Sequence, residues 1–177
     1  AAELSVTFKD ESYLNGIGLA PAGPDPVPAW NDVRMMAWYA LAEGGGSKTA
    51  GPSVARISAK ANELLSGLAE SPWHAVMGGN GRRSDFVWGS NAVAANQAIV
   101  LLQAFKHTSD RRYLTGALAN LDYILGRNAT GYSFVTGYGS KTPMHIHHRP
   151  SEADGIADPV PGLLAGGPNP GREDGCV

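Results

Sequence analysis

The sequence predicts an all-α fold. Apolar residues recur at three- and four-residue intervals in several stretches, glycine-rich connections separate those stretches, and no strict apolar alternation is long enough for a sheet. At 177 residues the chain has about the length of one domain, and a chain of this length that folds alone buries roughly 70% of its unfolded surface. A helical core of ordinary size is therefore expected.

The first two predicted helices follow a turn-rich segment, Ala20–Pro28. The segment Asn31–Glu43 places its apolar residues on one face, and a run of three glycines stops the helix. Between Pro52 and Glu70, apolar residues again repeat with the helical period. Both helices are expected to turn an apolar face towards a core.

The next two predicted helices form a hairpin. Ser90–Lys106 has a helical apolar stripe, and Ser109 and Asp110 cap a second helix that continues to Leu125. Because the connection is very short, the two helices are expected to be antiparallel neighbours. Gly126 supplies the stop at the carboxyl end of the second helix.

After the hairpin the helical pattern ends. Residues 126–177 comprise 52 residues with 10 Gly and 6 Pro, and they show no helical stripe of useful length. Disorder is disfavoured, since the segment contains the aromatic and aliphatic residues that disordered segments lack. These residues are Tyr132, Phe134, Val135, Tyr138, Ile146, Leu163 and Leu164. We therefore expect long ordered loops on a helical scaffold, where binding residues concentrate.

Composition excludes several classes of function. The 14 Lys+Arg and 16 Asp+Glu residues give a formal charge of -2 and a pI near 6.2, so no basic field attracts nucleic acid. No run of about 18 apolar residues is present to span a membrane. The single cysteine, Cys176, cannot close an internal disulfide. The first residues, Ala1–Leu4, lack a signal-peptide pattern, which neither shows nor excludes export.

Three of the five histidines lie together in Met144–Arg149, inside the long loop, and three interpretations are open. His145, His147 and His148 could hold a metal ion, since imidazole is a common zinc ligand, although no recognised metal motif accompanies them. They could instead be exposed loop histidines without a role. Alternatively, His147 and Arg149 form a donor pair for hydroxyls or a carboxylate, because Arg offers a planar fork and His a second donor.

Two tryptophans stand at corresponding loop-to-helix junctions, Trp30 before the first predicted helix and Trp88 before the third. A sugar ring presents an apolar face that stacks on indole, and its hydroxyls require placed donors such as Arg and His. Together with the histidine loop, these residues indicate a carbohydrate groove. A helix-flanking tryptophan is also common in cores, and this is the role predicted for Trp38 and Trp73.

The loop sequences resemble a known family. Ser133–Lys141, followed after a short gap by Ile146–Arg149, resembles the histidine-containing active-site signature of glycoside hydrolase family 9, the endoglucanase family of cellulases. Three further segments are similar to family segments in the same order: Phe86–Asn91, Tyr123–Asn128 and Leu163–Asn169. The resemblance extends at least from Trp30 to Cys176.

The resemblance implies a partial (α/α)6 barrel with long ordered loops and a groove for β-1,4-glucan, which is cleaved by inverting hydrolysis. It implies that His147 and Arg149 contact the sugar near the cleavage point as part of the catalytic site, and that Trp30, Trp88 and Tyr138 also bind substrate. It implies no required cofactor and no metal at this site, while allowing a structural Ca²⁺ in the complete enzyme. It also implies a secreted, extracellular protein.

Two family motifs are absent from residues 1–177. The paired aspartates of the family lie upstream and its acid glutamate lies downstream, whereas inverting hydrolysis needs two carboxyl groups roughly 6.5–9.5 Å apart. The available loop carboxylates match no catalytic motif and are interpreted as solvated or structural groups. They are Asp154, Asp158, Glu173 and Asp174. Residues 1–177 are therefore interpreted as a partial catalytic domain, an interior piece of the module.

The leading hypothesis is part of an inverting endo-β-1,4-glucanase that acts on cellulose or related β-glucans and whose acid and base lie outside this chain. Its expected partners are the glucan and the remaining segments of the same module, with no nucleic acid and no membrane. One alternative is a non-catalytic glucan-binding fragment. A weaker alternative is a metal-binding helical domain built on His145, His147 and His148.

Overall fold

Helices form the framework of the chain in a computed structural model that describes residues 1–16 and 25–171. The α-helices of these residues are α1 (Ala2–Phe8), α2 (Arg34–Gly44), α3 (Ala50–Leu65), α4 (Ser90–Thr108), α5 (Arg111–Ile124) and α6 (Arg149–Ala153). Short 3-10 turns lie at Glu11–Leu14, Leu68–Glu70, Gly79–Gly81 and Arg83–Asp85. Within the described ranges, strand pairing is limited to two isolated bridges. The predicted all-α class is confirmed. The described residues leave out part of the predicted turn segment, Ala20–Pro28, and the single cysteine, Cys176.

The first two predicted helices form, with shifted ends. α2 begins at Arg34 rather than Asn31, because the backbones of Ala29 and Asp32 pair and the Asp32 carboxylate accepts the Arg34 N–H at 3.1 Å. α3 ends at Leu65, earlier than predicted, and a separate 3-10 turn follows it. Local backbone pairing thus decides where each helix begins and ends.

The predicted hairpin of α4 and α5 is confirmed. The Asp110 carboxylate caps α5 by accepting the Arg112 N–H at 3.0 Å. Gly126 follows the carboxyl end of α5 with a φ of 130°, a conformation that favours glycine. Near that end, Asn120 Nδ2 donates to the Ala94 carbonyl, close to the start of α4, at 2.9 Å. The two helices are therefore antiparallel neighbours.

Two helices were not predicted. α6 lies in the stretch for which the sequence shows no helical stripe, and at five residues it is too short to have one. It begins after His148 and has Pro150 in its first turn, a position where the missing N–H of proline costs no hydrogen bond. α1 has seven residues and is likewise too short for an apolar pattern to identify.

α2 and α4 lie parallel to each other. Asn96 Nδ2, in the first half of α4, donates to the carbonyl of Pro28, which precedes α2, at 2.8 Å. At the opposite ends of the same two helices, Lys106 forms an ion pair with Glu43. The segments that lead into α2 and α4 therefore lie at the same end of the bundle.

The main core lies between α2, α3, α4 and α5. It includes the fully buried side chains of Met35 and Leu41 from α2, Ile57 from α3 and Leu101 from α4. Trp38 packs in this cluster, as predicted. No helix in the described part of the chain is long and apolar enough to cross a bilayer.

A second apolar cluster lies between the α4–α5 hairpin and the loops. Met77, Tyr123 and Phe134 are buried in it, and Trp73 packs against it, which confirms the predicted core role of Trp73. Because the cluster contains both helix and loop residues, the loops contribute buried side chains to the packed interior of the protein.

The buried side chain of Asn120 connects three parts of the chain. Its Oδ1 accepts the Met77 N–H at 3.0 Å, and its Nδ2 donates to the Ala94 carbonyl at 2.9 Å and to Gln97 Oε1 at 3.1 Å. Asn120 has no exposed surface, so no water can replace these bonds. α5, α4 and the connection between α3 and α4 are thereby fixed to one another.

Asp85 extends this network towards the start of α4. Its Oδ2 accepts hydrogen bonds from Gln97 Nε2 at 3.0 Å, from the Gly78 N–H at 2.9 Å and from Arg82 Nε at 3.2 Å. Asp85 lies three residues before Trp88. The buried network therefore restrains the segment that leads into Trp88.

We expect Asn120→Ala to lower the free energy of unfolding by about 2–4 kcal/mol, because it leaves several buried polar groups without partners. Urea unfolding followed by tryptophan fluorescence measures this change. Asn62→Ala is the matched control: Asn62 is exposed on α3 and accepts one hydrogen bond, from the Tyr113 hydroxyl. The control should change stability by less than about 1 kcal/mol, and equal effects of the two variants would contradict the role of Asn120.

Candidate functional site

The candidate site lies at one end of the helix bundle. α2 and α4 begin at this end because they are parallel, and α5 ends there because it is antiparallel to α4. Trp30 and Trp88, which precede α2 and α4, therefore lie at the same end as the loops that follow α5. Their side chains are 94% and 65% exposed respectively. Both tryptophans thus stand at the surface, as a stacking role requires.

A cleft of about 1080 Å³ opens among the loops at this end. Its lining residues come from three segments. They are Trp88 and Gly89; residues 143–148 with Ser151 and Glu152; and Ile156, Ala157, residues 163–167 and Asn169. His147 is exposed and lines this cleft together with Trp88. The fold therefore brings together a tryptophan and the histidine loop, which are far apart in the sequence.

Other residues predicted to contact substrate lie outside the lining of this cleft. Among the described residues, these are Trp30, Tyr138 and Arg149. Arg149 is exposed and directly follows His148, which does line the cleft. Tyr138 is 58% exposed, in the loop of the family-like signature. The substrate-binding roles of these three residues stay predictions.

One side of the cleft, residues 163–169, is held by the first two residues of α4. The Asn91 N–H donates to the Gly166 carbonyl at 3.0 Å, and Asn91 Nδ2 donates to the Ala165 carbonyl at 2.9 Å. Ser90 Oγ donates to the Pro168 carbonyl at 2.7 Å. Ser90 and Asn91 are fully buried, so these bonds fix the 163–169 segment next to Trp88.

The family-like signature pairs with the same segment through Thr136. The Thr136 N–H donates to the Leu163 carbonyl at 3.0 Å, and the Gly162 N–H donates to the Thr136 carbonyl at 2.8 Å. The Thr136 hydroxyl donates to the Val160 carbonyl at 2.6 Å and accepts the Leu163 N–H at 2.9 Å. The loops are therefore ordered by hydrogen bonds, as predicted, although they form no sheet in the described residues.

The buried Tyr123 ring packs against the family-like signature through Phe134. Its ring centroid lies 6.0 Å from that of Trp73 and 5.9 Å from that of Phe134. The Phe134 N–H donates to the Ile124 carbonyl at 2.7 Å, which ties the loop to the end of α5. Burial raises the pKa of the Tyr123 hydroxyl, so Tyr123 stays neutral at physiological pH and acts as packing.

The histidine loop is anchored at the start of α6. His148 Nδ1 lies 2.9 Å from Ser151 Oγ, and Ser151 Oγ accepts the Val160 N–H at 3.1 Å. His145 and His147 are exposed on the preceding backbone, and both line the cleft. His148 thus holds the loop, and it also lines the cleft together with His145 and His147.

The segment that carries Trp30 is fixed although its indole is exposed. The Asp25 carboxylate accepts Trp38 Nε1 at 3.1 Å and Arg56 Nη1 at 2.8 Å. The Arg56 guanidinium also lies 4.7 Å from the centre of the Trp38 ring. With the Pro28 carbonyl bonded to α4, these contacts hold the backbone before α2 in one place. Sequence analysis did not identify Asp25 as the residue that orders this segment.

Metal binding was tested on the geometry of the side chains. Within residues 1–16 and 25–171, no group of three or more His, Cys, Asp or Glu side chains could hold a metal ion. His145, His147 and His148 therefore do not form the metal site considered as a weaker alternative.

The four loop carboxylates named from the sequence have different surroundings in the structure. Asp154 accepts the Ile156 N–H at 2.8 Å and acts as a structural group, as interpreted. Asp158 is exposed. Glu173 and Asp174 lie outside the described residues.

Sequence analysis missed three residues of the site. Ser90 and Asn91 position one side of the cleft, and Glu152 lines it. Ser90 and Asn91 were assigned to a helix, and their place at its first turn was the available signal for a role in loop anchoring. Glu152 follows His148 by four residues, and this short spacing was the available signal that Glu152 lies near the histidines.

A helical scaffold with an ordered loop cleft lined by tryptophan and histidine has the architecture of a helical-barrel glycoside hydrolase. Residues 1–175 match the family profile "Glycosyl hydrolase family 9", and the chain belongs to this family. The all-α chain forms part of the (α/α)6 barrel that the resemblance implied.

Three similar proteins illustrate the match. The chain is 49% identical, over 117 residues, to a xyloglucan-specific endo-β-1,4-glucanase of Bacteroides ovatus, and the alignment covers 66% of this chain and 20% of that protein. It is 32% identical over 180 residues to endoglucanase D of Acetivibrio thermocellus, covering 98% of this chain and 28% of that protein. A solved family 9 structure from Bacteroides ovatus superposes with a TM-score of 0.85 and 37% identity, over 96% of this chain and 32% of that one. The chain thus spans about a third or less of each of these three proteins.

We expect Gly167→Ala to disrupt the 163–169 side of the cleft. Gly167 has a φ of 93°, and a Cβ atom there would lie 2.6 Å from Asn91 Cγ and 2.6 Å from Ser90 Oγ. The strain should lower the free energy of unfolding by about 1–3 kcal/mol, measured by urea unfolding. The neighbouring Gly166→Ala is the control, because a Cβ at Gly166 meets no atom within 4 Å. Equal stability of the two variants would contradict the predicted contact.

Proposed function

We propose that this chain is part of an inverting endo-β-1,4-glucanase that hydrolyses cellulose or a related β-glucan, and that it forms part of the substrate groove. The observation that supports this proposal is the shared cleft of Trp88 and His147 at one end of the helices. Membership of glycosyl hydrolase family 9 supplies the class of reaction.

The chemistry of the cleft suits an uncharged sugar chain. An exposed indole such as Trp88 offers a flat apolar surface for the C–H face of a glucosyl ring. His147 offers ring nitrogens to the hydroxyls at the edge of such a ring. Arg149, two residues further on, adds a planar fork of N–H donors for a hydroxyl pair or for a catalytic carboxylate. In this proposal Trp30 and Tyr138 extend the binding surface beyond the cleft.

The catalytic acid and base belong to the remaining segments of the module in this proposal. Inverting hydrolysis places a protonated carboxyl group on the leaving oxygen and a carboxylate beside the attacking water. Asp154 is occupied in its own loop, and Asp158 lies outside the cleft lining. The reaction needs these two carboxyl groups and no cofactor. A secreted enzyme is proposed, because a polymeric glucan substrate lies outside the cell.

An apolar face of the hairpin supports the proposal that other segments pack on this chain. The large aliphatic side chains of this face are between 45% and 49% exposed. They are Ile99 and Leu102 on α4 and Leu118, Leu121 and Leu125 on α5. Contiguous exposed apolar surface marks a site of contact with another part of a protein. We assign the face to contacts with the remaining helices of the barrel.

The substrate class follows from the relatives in part. The similar Bacteroides ovatus protein is named as a xyloglucan-specific endo-β-1,4-glucanase, so its named activity is the cleavage of β-1,4 bonds in xyloglucan. The similar Acetivibrio thermocellus protein is an endoglucanase. The proposed substrate is therefore a β-1,4-linked glucan chain, with or without side groups.

In the complete enzyme, we expect Arg149→Lys to lower kcat/KM on a soluble glucan oligomer by roughly 10- to 200-fold, since a hydrogen bond to a charged group is worth about 1.5–3 kcal/mol, and we expect His147→Ala to act in the same direction. Steady-state kinetics with thermal unfolding in parallel measures the effect. His145→Ala is the comparison within the same loop and should have a mild effect. Near-normal turnover of the first two variants, or a loss explained wholly by unfolding, would show that the loop is structural.

The 177-residue chain by itself is expected to release no reducing sugar from β-glucan, because general acid and base catalysis contribute about 10²–10⁴-fold each and binding groups cannot replace them. Reducing-sugar assays on the purified chain check this expectation, and mass spectrometry shows whether companion segments are present. Hydrolysis by the chain alone would place the acid and base within it.

A further inference from the structure

Glu152 lines the cleft, and the proposed function does not use its carboxylate. It lies in α6, five residues after His147, and lines the same cleft as His147 and Trp88. Among the described residues of the lining, Glu152 is the one acidic side chain, and no Lys or Arg accompanies it. Apart from the histidines, the rest of the lining is therefore uncharged.

The backbone of Glu152 is held in place. Its N–H donates to the His148 carbonyl at 3.2 Å. Ser151, the residue before it, contacts His148 Nδ1 and the Val160 N–H through its hydroxyl. The carboxylate is therefore attached to a part of the loop whose position is fixed before any ligand binds.

The carboxylate oxygens remain free to accept hydrogen bonds. Within residues 1–16 and 25–171, the Glu152 carboxylate makes no ion pair and accepts no hydrogen bond; Arg149, three residues earlier on α6, does not pair with it. A hydroxyl that donates to a carboxylate forms a bond about twice as strong as one between neutral groups. Glucan hydroxyls that enter the cleft are donors of this kind.

We propose that Glu152 is a specificity-determining residue that accepts hydrogen bonds from glucan hydroxyls and disfavours glucans with carboxylate substituents. This inference rests on the proposed function and names the charge class of its substrate. Glu152 is exposed, and two carboxylates brought within a few ångströms of each other repel even where water surrounds them. Neutral glucan is then preferred over anionic glucan of the same backbone.

The test uses the complete enzyme and two soluble cellulose derivatives with matched substitution, neutral hydroxyethylcellulose and anionic carboxymethylcellulose. Glu152→Gln keeps the size and an acceptor oxygen while removing the charge. The control is Asp158→Asn, which makes the same change of charge at an exposed residue outside the cleft lining, next to the lining residue Ala157. Thermal unfolding of each variant confirms equal folding.

We expect Glu152→Gln to raise the ratio of kcat/KM on carboxymethylcellulose to kcat/KM on hydroxyethylcellulose by roughly 3- to 10-fold at low salt. The increase should shrink in 0.5 M NaCl, where charges about 4 Å or more apart are screened. Asp158→Asn should leave the ratio within about 1.5-fold of wild type, since Asp158 does not line the cleft and its exposed charge acts on a bound substrate through water. Rate loss on the neutral substrate should be larger for Glu152→Ala than for Glu152→Gln.

An unchanged ratio in Glu152→Gln, or an equal change in Asp158→Asn, would overturn the inference while wild-type hydrolysis of hydroxyethylcellulose still supports the proposed function. Failure of the wild-type enzyme to hydrolyse hydroxyethylcellulose would instead overturn the proposed function, and the inference with it.

Discussion

The buried amide of Asn120 is the contact on which the site end of the structure depends. It bonds α5 to α4 and to the connection between α3 and α4 at one point. Because buried donors and acceptors must be paired, these parts cannot shift without a large loss of stability. Through Gln97 and Asp85 the same restraint reaches the residues before Trp88. The backbone that leads into a surface tryptophan is thus restrained by hydrogen bonds inside the protein.

The loops of the site are ordered without the regular pairing of a sheet. Ser90 and Asn91 turn the start of α4 into an anchor for residues 163–169, and Thr136 bonds the signature segment to the same stretch. Asp25 fixes the backbone that carries Trp30 in a comparable way. A site built on such loops is preorganised, so the loops lose less conformational entropy when a ligand binds.

The chain and the remainder of its barrel divide the proposed reaction between them. In the proposed function this chain would supply surfaces that bind and orient a sugar: an indole, histidines, a nearby guanidinium and one carboxylate. The remainder would supply the carboxyl groups that transfer protons. Such a division is physically consistent, because precise placement of a substrate accelerates a reaction even when the placing groups do not react. It also explains why the α4–α5 hairpin has an apolar face towards its surroundings.

The sequence by itself determined the all-α class, four of the helices and the family, because apolar periodicity, helix caps and the signature motif are local patterns. It also predicted a groove that contains Trp30, Trp88 and the histidine loop. Only the tertiary structure decided which residues line the cleft, since it placed Glu152 there with Trp88 and His147 and left Trp30 outside the lining. The physical reason is that the deciding contacts, such as Asn91 to Ala165 and Asn96 to Pro28, join residues more than 60 positions apart. No pattern along the chain reports which distant carbonyl a buried amide will reach.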